Sequence, residues 1–130
     1  MKFTFNKKDR LKSQKLIEKL FLEGKSVTSF PLKLIYLKTE VAGDHTIKAG
    51  VSVSKRNFKK AVDRNRIKRL LRECYRLNRD TYFNNISTSY ALMILYIGRN
   101  QTDFDTINSN IKILLSSFIE KISKDKKQIE

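Results

Sequence analysis

Apolar residues recur along this chain in two rhythms, one helical and one of strand period, and together they mark six elements. Ser13 stands as an N-cap before the stripe Leu16, Ile17, Leu20 and Phe21, and Gly24 follows as a stop, which predicts a short first helix. From Phe30 to Lys38 the period drops to two, with apolar groups on both faces: Leu32, Leu34 and Tyr36 on one, Ile35 and Leu37 on the other. Such a strand is buried or functional on both sides, and Pro31 belongs at its start, where a missing donor costs least. Gly43-Asp44 marks a turn, with His45 as a loop residue beside it, and Ile47, Ala49, Val51 and Val53 alternate as a second strand. A helix is expected to begin between Asn57 and Lys59. Asn84, Asn85 and Ser87 break the chain before an apolar strand over Tyr90 to Ile97. A final helix, capped by Asp103 or Asp105, then carries the stripe Ile107, Ile111, Leu114, Leu115, Phe118, Ile119 and Ile122. The order helix, strand, strand, helix, strand, helix predicts an α+β fold, a small α/β sandwich with helices packed on one face of a small mixed sheet. The strand-helix-strand unit in its middle would be a crossover, right-handed by the general rule.

The middle helix changes the picture. Advancing 100° per residue from Arg64 puts Ile67, Leu70, Leu71, Cys74 and Tyr75 on one side. Asn65, Lys68, Arg69, Arg72 and Arg76 fall on the other, with Arg64 and Arg66 at the edges. Between Lys55 and Arg79 stand 11 Lys or Arg against Asp63 and Glu73, so this segment carries most of the chain's net charge of +15. A solvated surface helix usually mixes signs in i,i+4 pairs, whereas here like charges crowd one face. A polyphosphate gains from that face, because each neutralised phosphate releases condensed counterions. Asn65, between two arginines, can donate to a phosphate and accept from a 2′-hydroxyl.

Composition narrows the alternatives. The 130 residues predict a single domain, with an extended basic arm over 1–10 and a fraying tail over 124–130. The longest apolar run, Ala91 to Ile97, is far short of the roughly 18 residues a membrane span needs, which predicts a cytoplasmic protein with no membrane partner. One Cys and one His make neither an intramolecular disulfide nor a zinc site. Cys74 lies on the apolar stripe and reads as a buried thiol. Asp103-Phe104-Asp105 is better explained as helix capping than as a metal centre. Protein-side hydrolysis of RNA would need clustered carboxylates or a His pair beside a cation, and neither is visible. No catalytic residue and no metal ligand is expected in the chain.

The block Arg64-Asn65-Arg66-Ile67-Lys68-Arg69-Leu70-Leu71-Arg72-Glu73 strongly resembles the signature of the bacterial ribonuclease P protein subunit. Gly50-Val51-Ser52-Val53-Ser54-Lys55-Arg56 before it resembles the family's strand and basic turn. Arg10 through Phe21, with Gly24-Lys25-Ser26-Val27, resembles its first helix and exit, and Gly98-Arg99 resembles the small-plus-basic pair closing its last strand. The resemblance implies an accessory that joins a large catalytic RNA to remove the 5′ leader from precursor transfer RNA. Magnesium would be bound mainly by that RNA, and no obligate protein partner is implied. It further implies a left-handed crossover, against the general rule. The enzyme would be an endoribonuclease only as a holoenzyme.

The same resemblance assigns the sites. Arg64, Asn65, Arg66, Lys68, Arg69 and Arg72 would face the RNA subunit. A cleft between that helix and the open sheet face would hold the leader, with Phe21, Phe30, Tyr36 and Tyr96 as rings for unpaired bases and Lys55, Arg56, Lys59 and Lys60 for phosphates. The departure is in the first helix, where many relatives have two Phe four residues apart and this chain has Ile17 and Phe21. The rival reading is a ribosomal or other structural RNA-binding protein, with the charge but without a substrate cleft.

Overall fold

Two strands with apolar residues on both faces need a layer on each side, and the fold supplies both. A computed structural model describes residues 10–39, 47–84 and 88–129. The elements are α1 (Gln14–Glu23), β1 (Lys25–Ser29), β2 (Leu32–Thr39), β3 (Ile47–Val53), α2 (Ala61–Phe83), β4 (Ser89–Tyr96) and α3 (Phe104–Ile129). The basic arm before Arg10, the turn at Gly43-Asp44 with His45, and Asn85 with Ser87 lie outside the described residues.

The four strands run in the order β1-β2-β4-β3. β1, β2 and β4 pair antiparallel, and β3 lies parallel to β4. The mixed sheet and α+β class are as the sequence predicts. On one face Leu32, Leu34, Tyr36, Leu92, Ile94 and Tyr96 meet Ile67, Leu71, Cys74 and Tyr75 of α2 and Ile107, Ile111, Leu114, Leu115 and Phe118 of α3. The other face holds a smaller core, in which Leu11, Leu20, Ile35, Ala91 and Met93 pack with Leu16 and Ile17. Each fully buried aliphatic or Phe side chain contributes roughly 1.5–3 kcal/mol, so the larger core dominates.

Three expectations change. Helices cover both faces of the sheet rather than one, because the stripe of α1 packs on the side away from α2 and α3. An extra strand, β1, follows α1. Only Val27 of its residues is buried, so its sequence carries almost no strand period. And α2 starts at Ala61, because Phe58 turns inward before the helix and packs against Tyr96, ring centroids 5.8 Å apart. At the far end, α3 stays helical past Lys124 to Ile129.

Caps and side-chain bonds fix the helices. Ser13 Oγ accepts from the Leu16 N–H at 3.3 Å, and Asp103 Oδ1 from the Thr106 N–H at 2.9 Å. Gly24 ends α1 as the sequence predicts, in extended backbone, with its N–H donating to the Leu20 carbonyl. It is needed because a Cβ there would stand 2.6 Å from Ile35 Cγ2, where α1 crosses the sheet. Asn78, buried in α2, donates to Asn108 Oδ1 at 2.8 Å and so ties α2 to α3. Ser29 donates to Asn110 Oδ1 at 2.6 Å, fastening β1 to α3.

Candidate nucleic-acid interface

The basic helix has the two-sided character its sequence predicts. Ile67, Leu71, Cys74 and Tyr75 are buried, while Asn65, Arg69 and Arg72 are exposed and Lys68 is half-buried. Two arginines of the motif, however, also build the site. Arg64 Nη1 donates to the carbonyls of Phe58 at 2.7 Å and Lys59 at 2.9 Å, holding the turn that enters α2. Arg66 Nη1 donates to Gln101 Oε1 and to the Thr102 carbonyl, both at 2.8 Å, bridging α2 to the β4–α3 loop. Each guanidinium keeps further donors for a phosphate. Arg76 is paired with Glu73. Among the described residues neither Arg69 nor Arg72 has an ion-pair partner, so their charge faces solvent.

Lys55, Arg56, Lys59 and Lys60 are all exposed on the connection from β3 to α2. That connection is anchored at two points: the Arg56 N–H donates to Ser54 Oγ at 3.1 Å, and Asn57 Nδ2 to the Gly98 carbonyl at 3.4 Å. Four cations are thereby held at the end of the sheet where β3 and β4 exit and α2 and α3 begin. Close packing of like charges without acidic neighbours is unfavourable unless an anion supplies the counter-charge.

The expected aromatic platform is only partly there. Tyr36 is 5% exposed and points into the helix-covered core, its ring edge-on to Phe118 with centroids 5.1 Å apart. Tyr96 is 4% exposed, stacks beside Phe58, and donates to the Asn100 carbonyl at 2.6 Å. Neither ring offers a face to a base, and both assignments are corrected to core and loop support. Phe21, on α1, is 50% exposed, and Phe30, in the β1–β2 turn, is 72% exposed. These two rings are accessible.

Register shows which residues lie on the sheet face opposite Tyr36 at this end. Thr28 pairs with Lys33, Lys33 with Leu95, and Leu95 with Ser52, forming one row across all four strands. By alternation this row lies on the α1 face, beyond the smaller core. Thr28 is exposed, and Lys33, Leu95 and Ser52 are half-exposed. The chain runs from Ser52 directly into Lys55 and Arg56. A shallow strip results, with a cation, two hydroxyls and an apolar floor. Lys33 was legible from the sequence, since period two puts it with Ile35 and Leu37, opposite Tyr36.

Other chemistry is sparse. Among the described residues no three His, Cys, Asp or Glu side chains converge as metal ligands. Burial pushes the Cys74 thiol up to about 11, with Glu73 adding to the effect. The Thr106 N–H bond holds the Asp103 carboxyl below its ordinary value, as befits a helix cap. Among the described residues no helix is long and apolar enough to cross a membrane.

Comparison with known proteins places these features in a family. The family model described as Ribonuclease P matches residues 5–118. A ribonuclease P protein component from Dictyoglomus thermophilum is 34% identical over 97% of this chain and 98% of its own. Its counterpart from Chlorobium phaeobacteroides is 32% identical over 86% of each. The one from Porphyromonas gingivalis W83 reaches 40% identity over 59% of this chain, and the match spans only 56% of that relative. In fold, the RNase P protein of Thermotoga maritima superposes with a TM-score of 0.66 at 24% identity, covering 82% of this chain and 94% of that one. The Staphylococcus aureus RNase P protein gives 0.66 at 19% identity, over 83% and 93%. With the signature helix, the basic turn and the mixed sheet in the positions described, the chain belongs to the ribonuclease P protein family.

Proposed function

We propose that this chain is the protein subunit of ribonuclease P, binding a catalytic RNA through α2 and the 5′ leader of precursor transfer RNA through the open strip of the sheet. The observation that carries this reading is a convergence. Lys55, Arg56, Lys59 and Lys60, the exposed face of α2 and the row Thr28–Lys33–Leu95–Ser52 all meet at one end of the molecule. A helical cationic face suits the phosphates of a folded RNA, and a shallow strip suits an unpaired strand.

Division of labour follows from the side chains. The chain supplies charge and shape, while magnesium is left to the RNA, whose phosphates are the better oxygen ligands. Within the holoenzyme the cations would screen phosphate repulsion between the two RNA chains. Phe21 would stack on a leader base and Lys33 would meet a leader phosphate.

The test compares Lys33→Ala with wild type in holoenzyme assembled on the catalytic RNA. For the precursor, log affinity against log salt should become shallower by about 0.7, as when one phosphate of a single strand is no longer neutralised. For mature transfer RNA, which has no leader, the slope should not change. An equal change for both substrates would place Lys33 outside the leader path.

A further inference from the structure

Beside the strip, on the helix-covered side of the same end, lies an open cleft of about 440 Å³. Its size is within the range of small-ligand sites. Phe30 and Pro31 of the β1–β2 turn form one wall, and Arg99, Gln101 and Thr102 of the β4–α3 loop form the other, over Tyr96.

The cleft is held open by bonds that fix both walls. The Ile97 N–H donates to the Pro31 carbonyl at 2.8 Å, fastening one wall to the other. Tyr96 Oη donates to the Asn100 carbonyl, which rounds the loop, and Gly98 lets it lie flat. A Cβ at Gly98 would stand 2.8 Å from Tyr96 Oη and 3.0 Å from Pro31 Cβ. Arg66 of α2 reaches the same loop through Gln101 and Thr102. The β4–α3 wall of the cleft is therefore tied to the basic helix, and no residue of α1 or of the strip lines it.

Its contents are an exposed aromatic ring, a cation and amide-bearing polar groups. A solvent-exposed Phe at a tight turn costs hydrophobic free energy unless something covers it. Arg99, exposed on the opposite wall, sets a positive charge across from that ring. Asp103, on the rim, already spends its carboxylate on the Thr106 N–H, so the helix end of α3 is closed to an anion.

We infer that this cleft takes one unpaired nucleotide of the catalytic RNA, its base stacked on Phe30 and its phosphate on Arg99. This rests on the reading that α2 docks on that RNA, because Arg66 joins the two surfaces. A stacked base with a cation-bound phosphate is the common way in which proteins hold unpaired RNA.

The experiment has two arms, using Phe30→Ala, Phe30→Tyr and Arg99→Gln. In the first, the protein alone is titrated with a short labelled oligouridylate, following anisotropy and the amide shifts of Gly98 and Gln101. Phe30→Ala and Arg99→Gln should each weaken binding by about tenfold and flatten those shifts, and Phe30→Tyr should restore both, since it keeps the stacking face. In the second arm, affinity for the catalytic RNA should fall with Phe30→Ala and Arg99→Gln but not with Phe30→Tyr, while the preference for precursor over mature transfer RNA stays as in wild type. Unchanged oligouridylate binding would overturn the cleft as a nucleotide site, whether or not the catalytic RNA binds. A loss seen only with precursor would overturn the catalytic RNA as its source. Failure of wild type to bind the catalytic RNA would instead remove the reading of α2, and that result is separate from the first arm.

Discussion

At the residue scale, the arginines of α2 divide by what their guanidinium groups already hold. Arg64 and Arg66 bond backbone carbonyls of neighbouring segments, whereas Arg69 and Arg72 do not. Arg64→Ala and Arg66→Ala should each cost about 1 kcal/mol of stability, the net worth of such bonds at a partly wet surface. Arg69→Ala and Arg72→Ala should stay within about 0.5 kcal/mol of wild type, as surface substitutions do. Urea melts of the four variants check this, and equal losses across all four would remove the distinction. Tyr36→Ala should cost roughly 3–5 kcal/mol, the range for emptying a large aromatic site against Phe118 and Tyr90. Any binding defect in that variant should then track its melting and fall equally on precursor and mature transfer RNA. Cys74 gives a pH test. Its folded pKa, near 11, stands above the ordinary value of 9.0, so the stability it lends is intact below pH 9 and declines from there towards 11. Iodoacetamide at pH 8 should label it only as fast as the protein opens. Rapid labelling of the native state would mean that the thiol is not buried.

At the element scale, the sequence was most legible where a full period could be read. The stripes of α2 and α3 and the alternation of β2, β3 and β4 correspond to the observed elements within a few residues. β1 was not legible, because Lys25-Ser26-Val27-Thr28-Ser29 is short and nearly all polar. It is a strand because β2 offers an open edge and α3 accepts Val27 and Ser29. Alternation also told which residues share a face with Tyr36, but not which face α2 and α3 would cover. That choice depends on the packing of α1, and it turns Tyr36 from cleft to core and leaves Lys33 on the opposite face. The face of α2 carries its own prediction. Replacing Lys68, Arg69 and Arg72 together by Ala should flatten the salt dependence of catalytic-RNA binding by about 0.7–0.9 for each phosphate left unneutralised. An unchanged slope would contradict the assignment of α2 as the docking helix.

At the scale of the whole molecule, the fold gathers charge at one end and leaves the two faces of the sheet with different tasks. The face covered by α2 and α3 holds the larger core and provides most of the stability. The α1 face leaves a strip open, and the β3–α2 connection joins the two with four cations. Among the described residues, nothing in this arrangement assembles the carboxylate or histidine cluster that cutting RNA with protein groups would require. The proposal that the protein partners a catalytic RNA, carried by its family and its cationic end, is the central claim. It is tested most directly by adding nuclease-free protein to precursor transfer RNA in magnesium, with and without the catalytic RNA, near physiological salt. Cleavage at the mature 5′ end should require the RNA, and the protein should raise its rate for precursor without being able to replace it. Magnesium-dependent cleavage by the protein alone, or an RNA-catalysed rate indifferent to the protein, would contradict the account.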